Sequence, residues 1–276
     1  MQPPTHFTPP PLKTLWRMST PLRFYFSPKF FGLDHINPER PALFVGNHTI
    51  YGVLDVPLYA IELYRQKGIF IRGLADHFHY LVPGWRDFLS WIGAVRGTPD
   101  NCEKLMQSGD NIIVFPGGGR EVCKRKGESY QLIWKKRTGF VRLAIKHQYP
   151  IIPVASIGID DAFSFLIDRD DLMNTYFGKM LQKSGLLEYI IKKGEEIPAI
   201  TRGIGLTPFP RPERVYVSFG KAIETKLYQN QFQDKQVLFE VRKQVEQEIK
   251  KQLGELLLFR YQDKDKSFFR NFLNRL

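Results

Sequence analysis

The stretch Val45-Gly46-Asn47-His48-Thr49-Ile50-Tyr51-Gly52-Val53-Leu54-Asp55 brings a histidine and a carboxylate close together in the chain. A carboxylate beside an imidazole can fix one tautomer and stabilise the imidazolium, so the pair suits proton transfer. Asp55 lies seven positions after His48. On a continuous helix the two would share a face roughly 10 Å apart, at about 1.5 Å of rise per residue. Direct contact therefore requires a turn, and Gly52 is the residue that would permit one. The plainer alternative is that both residues are structural.

A second stretch, Ile112-Ile113-Val114-Phe115-Pro116-Gly117-Gly118-Gly119-Arg120-Glu121, runs an apolar strand into three glycines and an arginine. Consecutive glycines let backbone N–H groups approach a ligand, and a guanidinium can grip phosphate through two parallel hydrogen bonds. No Gly-Lys-Ser/Thr follows and the spacing is not GxGxxG, so neither familiar nucleotide loop is present. Lys124, Arg125, Lys126, Lys135, Lys136 and Arg137 continue the positive region, most of them expected on a solvated face. A third stretch, Trp91 to Gly97, reads as a short strand presenting Arg96 at the same edge, or else as an ordinary surface arginine.

Other chemistries fit less well. Asp76-His77-Phe78-His79 has no third ligand at metal-site spacing, so no metal is expected. Ser90, Ser156 and Ser164 lack the GxSxG context of a serine nucleophile. The 276 residues carry 40 Lys and Arg against 28 Asp and Glu, a net charge of +12 that favours anionic partners. No helix-turn-helix, zinc-finger or RNP-type pattern accompanies that charge, so nucleic acid is not expected. Cys102 and Cys123 stand apart from any metal or redox motif, which suits a reducing compartment.

The elements that would position these residues alternate along the chain. Short β-branched or aromatic runs at 42–45, 69–71, 112–115, 151–155 and 215–219 read as strands. Helical stretches fall between them, near 55–66, 100–107 and 139–147. Alternation of this kind predicts an α/β fold, one domain with a central, mostly parallel sheet flanked by helices. Pro153 inside a strand suggests an edge or a bulge. Residues 160–200 read as a helical excursion from the sheet, with an acidic patch and then apolar turns around Leu181 to Ile191.

Three parts are expected: an aromatic, proline-rich arm at 1–40, a central domain at 41–225 and a C-terminal amphipathic helix with a basic tail at 226–276. Prolines are expected to block regular helix in the first part of the arm, which either covers the core or anchors at a membrane interface. The N-terminus lacks the pattern of a signal peptide, and no apolar run reaches the roughly 20 residues of a membrane span. Leu238, Val241, Val245, Ile249, Leu253 and Leu256 step by three and four, for packing on the domain or for a membrane surface.

Taken together, Asn47-His48 with Asp55, Gly93 to Gly97, Phe115 to Glu121 and Tyr149-Pro150-Ile151-Ile152-Pro153 resemble the four ordered blocks of glycerolipid acyltransferases, the PlsC-type family. The resemblance covers roughly residues 40 to 220. From Glu128-Ser129-Tyr130 to Ala144, the sequence is most similar to the branch containing transmembrane protein 68 and the plastid phytyl ester synthases. It implies a glycerol-3-phosphate acyltransferase-like fold, with His48 as general base and Asp55 as its orienting partner. It also implies that Arg96 and Arg120 help hold the acceptor or the acyl donor. Gly117, Gly118, Gly119 and Glu121 are further expected at the substrate, the glycines as backbone N–H donors to the oxyanion. Members that act on phosphorylated acceptors carry Glu at the position of Gly117 and Thr at that of Gly119. The expected reaction is thus acyl transfer from acyl-CoA or acyl carrier protein to a neutral lipid hydroxyl, such as diacylglycerol or a long-chain alcohol. Alternatives are a lysophospholipid acyltransferase and a non-catalytic lipid-binding protein. No cofactor is expected beyond the acyl donor; the expected location is cytoplasmic and peripheral, on an anionic membrane.

Overall fold

A computed structural model describes residues 7–184, 196–265 and 268–274. Nine strands are described: β1 (Lys29–Phe31), β2 (Leu43–Gly46), β3 (Ile71–Ala75), β4 (Val95–Arg96), β5 (Asn111–Val114), β6 (Ile151–Ile157), β7 (Ser164–Ile167), β8 (Ile200–Arg202) and β9 (Tyr216–Phe219). Seven of them form one sheet in the order β1-β9-β6-β2-β5-β3-β4. From β6 to β4 every pairing is parallel, whereas β9 runs antiparallel to β6 and parallel to β1. The α/β fold with a mostly parallel sheet is therefore as the sequence predicts.

Strand alternation divides the core in two. Leu43, Val45 and Ile112 face one apolar cluster, while Phe44 and Ile113 face another. The α-helices among the described residues are α1 (Leu12–Phe26), α2 (Val56–Lys67), α3 (Trp85–Trp91), α4 (Pro99–Gln107), α5 (Gly118–Val122), α6 (Gly139–Lys146), α7 (Arg169–Asn174), α8 (Tyr176–Lys183), α9 (Lys235–Gln262) and α10 (Phe268–Leu273). Side chains of α4, α6 and α9 fill the first cluster; those of α1 and α2 fill the second. The apolar stripe of α9 is buried from Leu238 to Leu256 against this core, so that face packs on the sheet.

Four local expectations need correction. The arm folds as α1 despite its prolines: Pro11 stands just before the first turn, and Pro21 is accommodated inside the helix. Residues 29–31 of the same arm add strand β1 to the sheet. Pro153 lies mid-sheet, paired with Val45, rather than at an edge, but the other half of that expectation holds: between Val154–Phe219 and Ile151–Ile223 the register slips by one residue, a bulge. Ile151 exchanges both hydrogen bonds with Ile223, and alternate residues share that flank, so the Pro153 nitrogen faces the side where its carbonyl accepts the Gly220 N–H. A missing donor is tolerated there because the β9 ladder with β6 begins only at Val154. Finally, the excursion after β6 is partly sheet, because β7 pairs with β8; residues 185–195 of its apolar turns lie outside the described residues.

Candidate active site

The topology places a switch point at the centre of the sheet. The chain leaves β2 for α2 on one face and leaves β5 for α5 and α6, and the two strands are neighbours. Ligand crevices in open α/β sheets form at such a switch point, outside the carboxyl ends of the strands. The loops after β2 and β5 meet there. His48 stacks on Phe115 with ring centroids 4.1 Å apart and an interplanar angle of 20°.

The turn demanded by the sequence is present. Tyr51 and Gly52 both adopt positive φ, at 61° and 65°. A Cβ on Gly52 would lie 2.2 Å from His48 Cε1, so this glycine forms the floor on which the imidazole rests. The ring is half-buried, and its Nδ1 has no hydrogen-bond partner. Burial pushes the imidazole pKa down to about 3, and the positive charge of Lys124 acts in the same direction. The ring is therefore neutral at ordinary pH, the form that can accept a proton.

Asp55 does not contact this ring. It is buried at the start of α2, and its carboxylate accepts the Thr49 hydroxyl at 2.9 Å. Burial raises its pKa against the hydroxyl hydrogen bonds it receives. The turn brings Asp55 back to the loop, but to the residue after His48.

The main chain around His48 is held by side chains from distant elements. Asn47 exchanges two hydrogen bonds with the Ser156 backbone, at 2.9 and 2.8 Å. The His48 N–H donates to Glu121 Oε1 at 3.1 Å, and the His48 carbonyl accepts from Lys124 Nζ at 2.6 Å. Asp160 Oδ1 takes the Ile50 N–H at 2.8 Å, and its other oxygen lies 3.6 Å from Lys124 Nζ.

The remaining predicted binding residues sit in different settings. Arg120 is buried and forms a two-pronged pair with Glu128, at 2.9 and 2.5 Å, so its fork is saturated internally. Glu121 is fully buried, and burial raises its pKa to about 7. Gly117 lies against the Glu121 side chain, Gly118 beside Arg137, and Gly119 beside Glu196. The Gly118 N–H already donates to the Phe115 carbonyl at 2.9 Å. Arg96 is exposed at the end of β4 and lines a cleft of about 170 Å³ with His77, Tyr80 and Leu81.

Two residues with a hand in the site were read as surface charge. Lys124 was expected in a solvated basic run, yet it is buried; Asp160 was read as part of an acidic patch, yet it is buried as well. Their neighbours form ion pairs, Arg125 with Asp170 at 3.2 Å and the exposed Lys126 with Asp171 at 2.6 Å. Opposite charge draws the run after β5 to the start of α7.

The family model named Acyltransferase matches residues 27–157. Phytyl ester synthase 1, chloroplastic, of Arabidopsis thaliana is 30% identical over 259 residues, covering 89% of this chain and 36% of that protein. A Bos taurus protein named DGAT1/2-independent enzyme synthesizing storage lipids is 33% identical over 135 residues, covering 49% of this chain and 40% of that one. The chain thus spans little more than a third of the length of these relatives. A crystal structure of the 1-acyl-sn-glycerophosphate acyltransferase PlsC from Thermotoga maritima superposes with a TM-score of 0.54 at 16% identity. That superposition covers 89% of this chain and 79% of that one, and it shows a shared fold.

Proposed function

Residues 27–157 belong to the acyltransferase family, and from that premise we propose that the chain moves a fatty acyl group from a thioester to a lipid hydroxyl. The observation that carries this reading is the neutral His48 ring, fixed at the switch point between Gly52 and Phe115 with its Nδ1 unpartnered. In the reaction, His48 takes the hydroxyl proton as the acceptor oxygen attacks the thioester carbonyl. The C–S bond then breaks, and the proton passes to the departing thiolate. A thioester is already activated, so no acyl-enzyme is needed. General base catalysis of this kind contributes on the order of 10² to 10⁴ in rate.

The charges favour a neutral acceptor. Arg120 is taken up by Glu128, and Lys124 by the His48 carbonyl and Asp160, which leaves neither to neutralise an acceptor phosphate. Relatives named for making phytyl esters and storage lipids lend further support. The exposed Arg96 remains for the anionic part of a donor such as acyl-CoA.

The same reading needs a lipid surface beside the site. Phe78, Leu81, Val82, Trp85 and Trp91 are exposed on the segment between β3 and β4. Exposed apolar side chains, with two indoles among them, suit a bilayer interface. No helix among the described residues is long and apolar enough to cross a membrane, so the proposed association is peripheral.

Purified protein given labelled acyl-CoA with diacylglycerol, a long-chain alcohol and lysophosphatidate side by side tests the proposal. Esters of the neutral acceptors, abolished by His48→Ala, are expected. A preference for lysophosphatidate would overturn the acceptor assignment, and acyl transfer indifferent to His48 would overturn the mechanism.

A further inference from the structure

We infer that Glu121 and Lys124 are positioning residues, a clamp that grips the two ends of the His48 main chain and so fixes where the imidazole stands. The inference rests on the reading of His48 as general base, and it reassigns Glu121 from substrate contact to support.

Four observations carry it. The contacts are complementary: Glu121 accepts the His48 N–H at 3.1 Å, and Lys124 donates to the His48 carbonyl at 2.6 Å. Both side chains are buried, Glu121 at 0% and Lys124 at 1% exposure, so they are out of reach of a bulk-solvent role. Ionisable groups placed this deep carry a substantial desolvation cost, and well-packed apolar residues often stabilise a core equally well. An apolar pair would leave both His48 backbone groups without these partners.

Spacing is the second observation to consider together with topology. Glu121 lies in the last turn of α5, and Lys124 follows just beyond the Cys123 that ends the helix, so the two side chains leave the chain at neighbouring points. They reach back from the loop after β5 to the loop after β2, across sequence separations of 73 and 76 residues. Third, the clamp explains the first of the three glycines. A Cβ on Gly117 would lie 1.7 Å from Glu121 Oε2 and 2.4 Å from Glu121 Cβ, because the side chain folds back over position 117. That glycine makes room for the clamp rather than for a ligand.

Fourth, the clamp is braced from β6. Asp160 stands 3.6 Å from Lys124 and holds the Ile50 N–H, and Asn47 is tied to Ser156. The backbone from Asn47 to Ile50 is thus fixed from two neighbouring strands, while the imidazole itself keeps an unpartnered nitrogen. An imidazole carried on an immobile main chain is what near-attack geometry requires.

The experiment compares Glu121→Gln, Glu121→Leu and Lys124→Met with the wild-type chain, reading the thermal melt, kcat and KM on detergent-dispersed acceptor, and the His48 ring resonances by NMR. Glutamine keeps an oxygen for the His48 N–H, so kcat should stay within about threefold. Leucine and methionine should lower kcat by about 10²-fold with KM little changed, since a small misplacement of a reacting group costs that much. Their ring resonances should shift or broaden, while those of the glutamine variant should not. A folded leucine variant with wild-type kcat and ring resonances would overturn the inference, as would a loss confined to KM, which would return Glu121 to the substrate. If Glu121→Leu does not fold, Lys124→Met decides by the same readings. A wild-type chain with no acyl transfer would instead sink the proposed function, while the ring resonances still judge the clamp.

Discussion

Two segments leave the carboxyl edge of the sheet carrying histidines, and they are built in opposite ways. The loop after β2 holds His48 on a backbone tied to Glu121, Lys124, Asp160 and Ser156. The segment after β3 holds His77 and His79 on a short, largely exposed turn. His77 pairs with Asp76 at 2.9 Å, and His79 accepts the Trp85 indole N–H at 3.1 Å. Trp85 then stacks on Phe88 with centroids 5.3 Å apart. One segment is rigid through buried hydrogen bonds and leaves its ring unoccupied; the other satisfies its rings and exposes apolar side chains. A reaction on a lipid needs both properties, a fixed base and an adaptable greasy surface, and the two segments divide them.

The largest effect should follow from His48→Ala, with acyl transfer falling about 10²- to 10⁴-fold while the melt is unchanged; product assay against circular dichroism checks both. Next comes Gly52→Ala, which puts a methyl 2.2 Å from His48 Cε1 at a positive φ. Turnover should drop about 10²-fold through displacement of the ring. Wild-type turnover in that variant would show that the floor under His48 is irrelevant.

Cutting the buried Arg120–Glu128 pair strikes stability instead. Glu128→Ala leaves a buried guanidinium without its counter-charge, held only by the Cys123 carbonyl, and should cost about 3 to 5 kcal/mol, measured by urea unfolding. Glu121 gives a smaller, pH-dependent effect. Burial lifts its carboxyl to about 7 in the fold, above its ordinary value, so the folded chain holds a proton that the unfolded chain has released between roughly pH 4.5 and 7. Wild-type stability should therefore fall relative to Glu121→Gln as pH rises through that window, and parallel curves would contradict the shift. The smallest effect belongs to the exposed segment. Leu81→Asp should weaken sedimentation with phosphatidylglycerol vesicles several-fold, at roughly 1 kcal/mol, with no change in melting.

Legibility in the sequence follows the same division. Short β-branched runs bounded by breakers mark the central strands, and period-3.6 apolar steps mark α2, α4, α6 and α9, because those signals are local. His48, its floor Gly52 and the loop at 115–121 are equally visible, since they sit at strand ends. The clamp is not. Lys124 reads as one more cation in a basic run, and Asp160 as one more anion in an acidic one. Nothing local reveals that they meet 3.6 Å apart beneath His48. A Glu and a Lys three apart after a strand and a glycine turn were the available signal. Asp55 misleads in the other direction. Its spacing suggests a partner for His48, while the tight turn at Tyr51 and Gly52 delivers it to Thr49. The proline-bearing α1 shows tertiary packing overriding a local rule.

The most direct test of a base poised on a fixed backbone is a single-turnover measurement with radiolabelled palmitoyl-CoA and diacylglycerol, run on the wild-type chain and on His48→Ala. The account predicts labelled triacylglycerol from the first and a rate at least 10²-fold lower from the second. Equal rates, or ester formed by neither, would contradict it.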